Sequence, residues 1–170
     1  KKANAGPTIK DALSIMRKDK KIALVGAVQA LFEGAMYIFV LQWAPALASV
    51  VDGPVPFGKV FSCFMACCLL GSTTFGLLSA AKVPVEATSA GFLATGAASL
   101  AAAVAGFQQQ SLGLLVAAFF LFEGCVGMYF PSIGTMRSKY LPDSHRSVLM
   151  NVFGVPLNLI VCSVFLNQNR

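Results

Sequence analysis

Five long apolar runs, separated by short polar or turn-forming stretches, organise the chain. They cover 22–47, 57–81, 86–105, 111–134 and 147–166. As helices rising 1.5 Å per residue, each is long enough to cross about 30 Å of hydrocarbon. The breaks between them have turn chemistry: Asp52-Gly53-Pro54, Lys82-Val83-Pro84, Phe107-Gln108-Gln109-Gln110 and Tyr140-Leu141-Pro142-Asp143. Pro84 suits a first helical turn, and Glu86 complements the positive end of the helix dipole. Ahead of the first run, Ile9, Ala12, Leu13 and Met16 form an apolar stripe at helical spacing, flanked by Lys10, Arg17 and Lys18. That spacing predicts a short helix lying in the membrane interface. The expected fold is therefore an all-α membrane protein. A basic segment, 1–21, precedes a transmembrane domain of five helices, 22–170.

The 170 residues are 56% hydrophobic and 12% charged, the latter about half the share of a soluble domain. Too little polar surface remains to cover a water-soluble fold of this size, which argues against soluble enzymes and nucleic-acid-binding modules. The net charge of +6 does not revive a nucleic-acid partner, because seven of the thirteen Lys and Arg lie within residues 1–21. Counted by side, the N-terminal segment and the second and fourth connections carry eleven basic residues. The opposite side carries Lys59 and Arg170. Eleven against two places the N-terminus on the cytoplasmic, or topologically equivalent, side. Arg137, Lys139 and Arg146 are expected at the membrane edge, serving orientation and lipid headgroups. Cys63, Cys67, Cys68, Cys125 and Cys162 sit in apolar stretches without metal-ligand spacing and read as packing residues. No metal or cofactor is expected, and the polar start lacks the features of a cleavable signal peptide.

Two acidic residues fall in mid-span, Glu33 and Glu123. An ionised carboxylate at that depth is costly and must face a cavity or a partner, or be protonated. Leu31-Phe32-Glu33-Gly34 recurs ninety residues later as Leu121-Phe122-Glu123-Gly124, and aromatic-rich stretches follow both copies. The two helices are three spans apart. Three is odd, so the second copy enters from the opposite side and the repeat is inverted, an arrangement of secondary transporters whose sites lie near the midplane. The second unit has two spans here and calls for a third. Gln29, Glu33 and Tyr37 share one helical face. Ser147, Asn151, Gly154, Asn158 and Cys162 share another, with Pro156 interrupting the backbone ladder. Both stripes fit either hydrogen bonding between helices, contributing on the order of 1 kcal/mol per contact, or the lining of a cavity.

These residues carry a family resemblance. Val28-Gln29-Ala30-Leu31-Phe32-Glu33-Gly34 through Trp43-Ala44-Pro45 resembles the seventh helix of major facilitator transporters of the molybdate-anion transporter family. The stretch from Phe122-Glu123-Gly124 through Tyr129-Phe130-Pro131-Ser132 to Arg137-Ser138-Lys139-Tyr140-Leu141-Pro142 resembles its tenth helix and following loop. Arg146-Ser147, Met150-Asn151-Val152-Phe153 and Val155-Pro156-Leu157-Asn158 resemble its eleventh. The resemblance implies a fold of twelve helices in two halves, of which this chain matches helices seven to eleven. It also implies an Arg at the position of Gly154, a departure that removes the natural partner of an oxyanion.

Two functions follow. One is part of a secondary transporter moving an oxyanion by alternating access, with Gln29, Glu33, Tyr37, Glu123, Asn151 and Asn158 as substrate-path candidates. The other is a degenerate transporter retained as a structural or accessory subunit of a larger membrane complex. The expected partners are the lipid bilayer, the missing transporter helices or other membrane subunits, and an oxyanion substrate. A lone His145 in a connection, with no nucleophile–base pair or phosphate loop, argues against an enzyme.

Overall fold

The structure is a computed structural model that describes residues 8–168, with side chains through residue 166. Lys1, Lys2 and Arg170 of the charge count therefore lie outside the described residues, as does the start of the basic segment. Six α-helices follow one another: α1 (Ile9–Lys18), α2 (Lys20–Val50), α3 (Phe57–Ala80), α4 (Val85–Gln108), α5 (Leu112–Tyr140) and α6 (Arg146–Gln168). A single 3₁₀ turn, Asp143–His145, joins α5 to α6. Among the described residues there is no strand. Five helices are long and apolar enough to cross a membrane, making this an all-α membrane fold. The shortest of α2 to α6, with 23 residues, reaches about 35 Å.

Helices α2, α4, α5 and α6 outrun the apolar windows that mark them in the sequence, while α3 ends one residue short of its own. Helix α5 continues six residues beyond Gly134 to Tyr140, because nothing from Thr135 to Lys139 breaks a helix and Pro142 comes only after its end. Arg137 thus belongs to the last turn of a helix rather than to a loop. Both connections flanking α4 end the preceding helix with a left-handed residue. Lys82 (φ 61°) and Gln110 (φ 54°) take that conformation. Val83 then donates to the Leu78 carbonyl at 3.0 Å, and Ser111 to that of Gly106 at 2.9 Å, capping the last free carbonyls.

The chain divides into two units, one of Lys1–Ile38 with Thr135–Arg170, the other Phe39–Gly134. In the first, Thr8 caps α1 reciprocally with Asp11. The Asp11 backbone N–H donates to the Thr8 hydroxyl, and the Thr8 backbone N–H donates to the Asp11 carboxylate at 2.9 Å. The Thr8 hydrogen bonds hold the Asp11 carboxyl below its ordinary value. Helix α1 packs against α6 and buries Ala12 completely, while Ile9 and Leu13 stay exposed. Exposed apolar residues beside Lys10 and Arg17 suit an interfacial position. Helix α6 turns Leu149, Phe153 and Leu157 inward. The Phe153 ring lies over Gly26, and Leu157 and Ile160 lie against Gly34.

In the second unit, Phe39 on α2 meets rings from two other helices at tilted or edge-on angles, 5.7 Å from Phe64, 5.1 Å from Phe119 and 4.9 Å from Phe122. Trp43 extends the cluster to Phe64 at 5.1 Å. Helices α3 and α5 approach backbone to backbone. A Cβ built on Gly71 would overlap the carbonyl oxygen of Gly124, and one on Gly127 that of Cys68. Only glycine permits this contact, the usual means of close helix packing in lipid.

Candidate functional site

Gln29 and Glu33 lie four residues apart on α2, so their side chains stack on one face, one turn above the other. Arg137, from the last turn of α5, reaches both. Its Nε donates to Gln29 Oε1 at 3.2 Å and its Nη2 to Glu33 Oε1 at 3.3 Å. Gln29 is buried, and the charged pair is mostly covered, with side-chain exposures of 21% for Arg137 and 22% for Glu33. The planar guanidinium suits such a two-point grip, since its N–H groups are fixed in a fork. The expectation that Arg137 serves the headgroup region is corrected here. Its long side chain turns to the polar face of α2, because an intramembrane carboxylate draws the nearest cation. Lys21 and Lys139 instead place their ammonium groups 5.8 and 5.3 Å from the centre of the Tyr140 ring.

The other sequence candidates distribute differently. Tyr37, one turn beyond Glu33, is 53% exposed and takes no part in the Arg137 grip. Asn151 and Asn158 lie on the exposed face of α6. Asn158 donates to the Gly154 carbonyl of its own helix at 2.8 Å. Around Gly154, an added Cβ would meet only the Asn158 amide nitrogen, at 3.9 Å, so a larger side chain has room there.

Glu123 belongs to the second unit and is 7% exposed. It precedes Gly124, at the turn of α5 where α3 approaches most closely. Among the described residues no hydrogen bond or ion pair engages its carboxylate. An open groove of about 520 Å³ runs between α3, α4 and α5, lined by small and apolar residues such as Gly71, Phe92, Gly124 and Met128. Glu123 does not line it. Among the described residues, no group of three or more His, Cys, Asp or Glu could hold a metal ion.

The five membrane-length helices agree with the family that the sequence matches. Residues 1–130 match a family of major facilitator proteins described as sugar transporters with 12 TM. The chain belongs to this family. It is also related to proteins named molybdate-anion transporter. One from Danio rerio is 35% identical over 161 residues, covering 89% of this chain and 32% of the relative. One from Takifugu rubripes is 32% identical over 158 residues, with the same coverage. One from Xenopus tropicalis is 33% identical over 155 residues, covering 88% of this chain and 33% of the relative. The chain thus spans about one third of the length of these family members. No solved structure matches it.

Sequence reasoning singled out Gln29 and Glu33 but missed Arg137, the residue that joins them. The available signal was a demand rather than a motif: a mid-span Glu requires a cation, and Arg137 follows the fourth apolar run by only three residues.

Proposed function

We propose that the chain forms five helices of the C-terminal half of a secondary transporter that carries an oxyanion by alternating access. The observation that carries this reading is the Arg137 guanidinium, held inside the helix pair by Gln29 and Glu33. An anion leaving water for a low-dielectric path needs a fixed cation, and a guanidinium matches the oxygens of a tetrahedral oxyanion with directed, charge-assisted hydrogen bonds. The relatives' name supplies molybdate as the probe. The inverted repeat around Glu33 and Glu123 supports alternating access, and Glu123, Tyr37, Asn151 and Asn158 remain path candidates. The partners in this reading are the bilayer and further transporter helices, with no enzymatic step. The N-terminus lies on the cytoplasmic or equivalent side.

Gly154 favours the second reading, a structural or accessory subunit, since no cation stands there. Arg137 answers that objection by supplying a cation from α5. Uptake of radiolabelled molybdate into proteoliposomes holding the full-length natural chain separates the two. The transporter reading expects saturable uptake that Arg137→Gln lowers by about 10- to 100-fold, the scale of a lost charged hydrogen bond. Absence of uptake by the unmodified protein, with stable association to other membrane subunits, supports the accessory role.

A further inference from the structure

The Arg137 site contains its own anion. Glu33 Oε1 sits 3.3 Å from Nη2, where an oxygen of a bound oxyanion would make its charge-assisted hydrogen bond. Gln29 engages Nε, is neutral and is buried. The two α2 partners therefore do different work. Gln29 fixes the direction of the guanidinium, and Glu33 neutralises it.

Resting on the transport reading above, we propose that Glu33 is an exchangeable counterion: an oxyanion binds by replacing the Glu33 carboxylate on Arg137, and the carboxylate returns when the anion leaves. A guanidinium whose charge is already balanced attracts an incoming anion weakly, and two anions on one guanidinium repel. Binding therefore requires Glu33 to withdraw. About one fifth of each charged side chain is exposed, so neither group is sealed inside this helix pair. The exchange also explains how a carrier with so strong an anion ligand lets go. A path must bind well enough to load and weakly enough to unload. Closing the Glu33–Arg137 pair on the empty site supplies the competing partner and spares the empty carrier an unpaired buried charge.

The test measures molybdate binding to the full-length natural chain, purified in detergent, by titration calorimetry. Glu33→Gln keeps the shape and a hydrogen-bonding oxygen but removes the competing charge. It is expected to tighten binding by at least about tenfold, since a unit charge a few ångströms away is worth that much even at an effective dielectric of 20. Arg137→Gln is expected to lose binding. If Arg137→Gln loses binding while Glu33→Gln leaves it unchanged or weaker, the counterion exchange is overturned and the anion site stands. If Arg137→Gln binds as the unmodified protein does, the anion site itself fails. A second measurement needs no substitution. Molybdate added to the unmodified protein should shift a carboxylate stretching band in the infrared difference spectrum, as a carboxylate exchanges arginine for water. Binding without any carboxylate change overturns the exchange, whether or not the Glu33→Gln protein folds.

Discussion

Glu33, in mid-span on α2, is ion-paired at 3.3 Å with Arg137 in the last turn of α5. The two residues are 104 positions apart in sequence, so the pair ties the beginning of the chain to its fourth span. Fully exposed pairs contribute about 0–1 kcal/mol, and breaking a fully buried one costs about 3–5 kcal/mol. With about a fifth of each side chain exposed, Arg137→Gln should cost about 1–3 kcal/mol, leaving Glu33 without its cation. Combining it with Glu33→Gln should recover at least half of the loss. Thermal unfolding of the four proteins of the cycle in detergent measures this, and additive single effects would show the charges to be uncoupled.

Glu123 differs from its repeat partner in having no such cation among the described residues. Replacing it with Gln removes an ionisable group from a site that is 7% exposed. Stability should stay the same or rise by on the order of 1 kcal/mol. Molybdate uptake should fall if the carboxylate lines the path. A marked loss of stability would instead reveal a structural hydrogen bond, and unchanged uptake would remove Glu123 from the path.

Helix packing in the second unit makes a sharper demand. Gly71→Ala places a methyl group on the Gly124 carbonyl and must push α3 away from α5. The expected cost is about 1–3 kcal/mol. Gly76→Ala, on the same helix with nothing within 4 Å of the added atom, should stay within about 0.5 kcal/mol of the parent. Equal effects of the two in thermal unfolding would contradict the close contact.

The basic asymmetry predicts that α1 and the connection from α5 to α6 emerge on the same side of the membrane. Within the first unit, Lys21 lies 5.8 Å from the Tyr140 ring, which brings the start of α2 to the end of α5. Cysteines introduced at Lys10 and Ser144 should react with an impermeant thiol reagent from the same side of sealed vesicles. Reaction from opposite sides would contradict the five-span topology.

Much of this arrangement is legible in the sequence because lipid imposes a simple rule, long uninterrupted apolar helices, and the runs obey it. The face shared by Gln29 and Glu33 is legible for a related reason, four-residue spacing on a regular helix. Arg137 was not, because its sequence position says only that it follows an apolar run. Whether its side chain points to headgroups or back to α2 depends on a neighbour more than a hundred residues away. The α6 stripe shows the opposite limit. Periodicity correctly placed Asn151 and Asn158 on one face, but the exposure of that face and the turning of Asn158 to its own backbone depend on tertiary packing.

The most direct measurement locates the anion. In crystals of the full-length natural chain soaked in molybdate, anomalous scattering at the molybdenum absorption edge marks the metal centre of the oxyanion itself. A peak is expected beside Arg137, with oxyanion oxygens about 2.8 Å from the guanidinium nitrogens and Glu33 drawn away from Nη2. A peak on the Asn151–Asn158 face of α6, with the Glu33–Arg137 pair still closed, would contradict it.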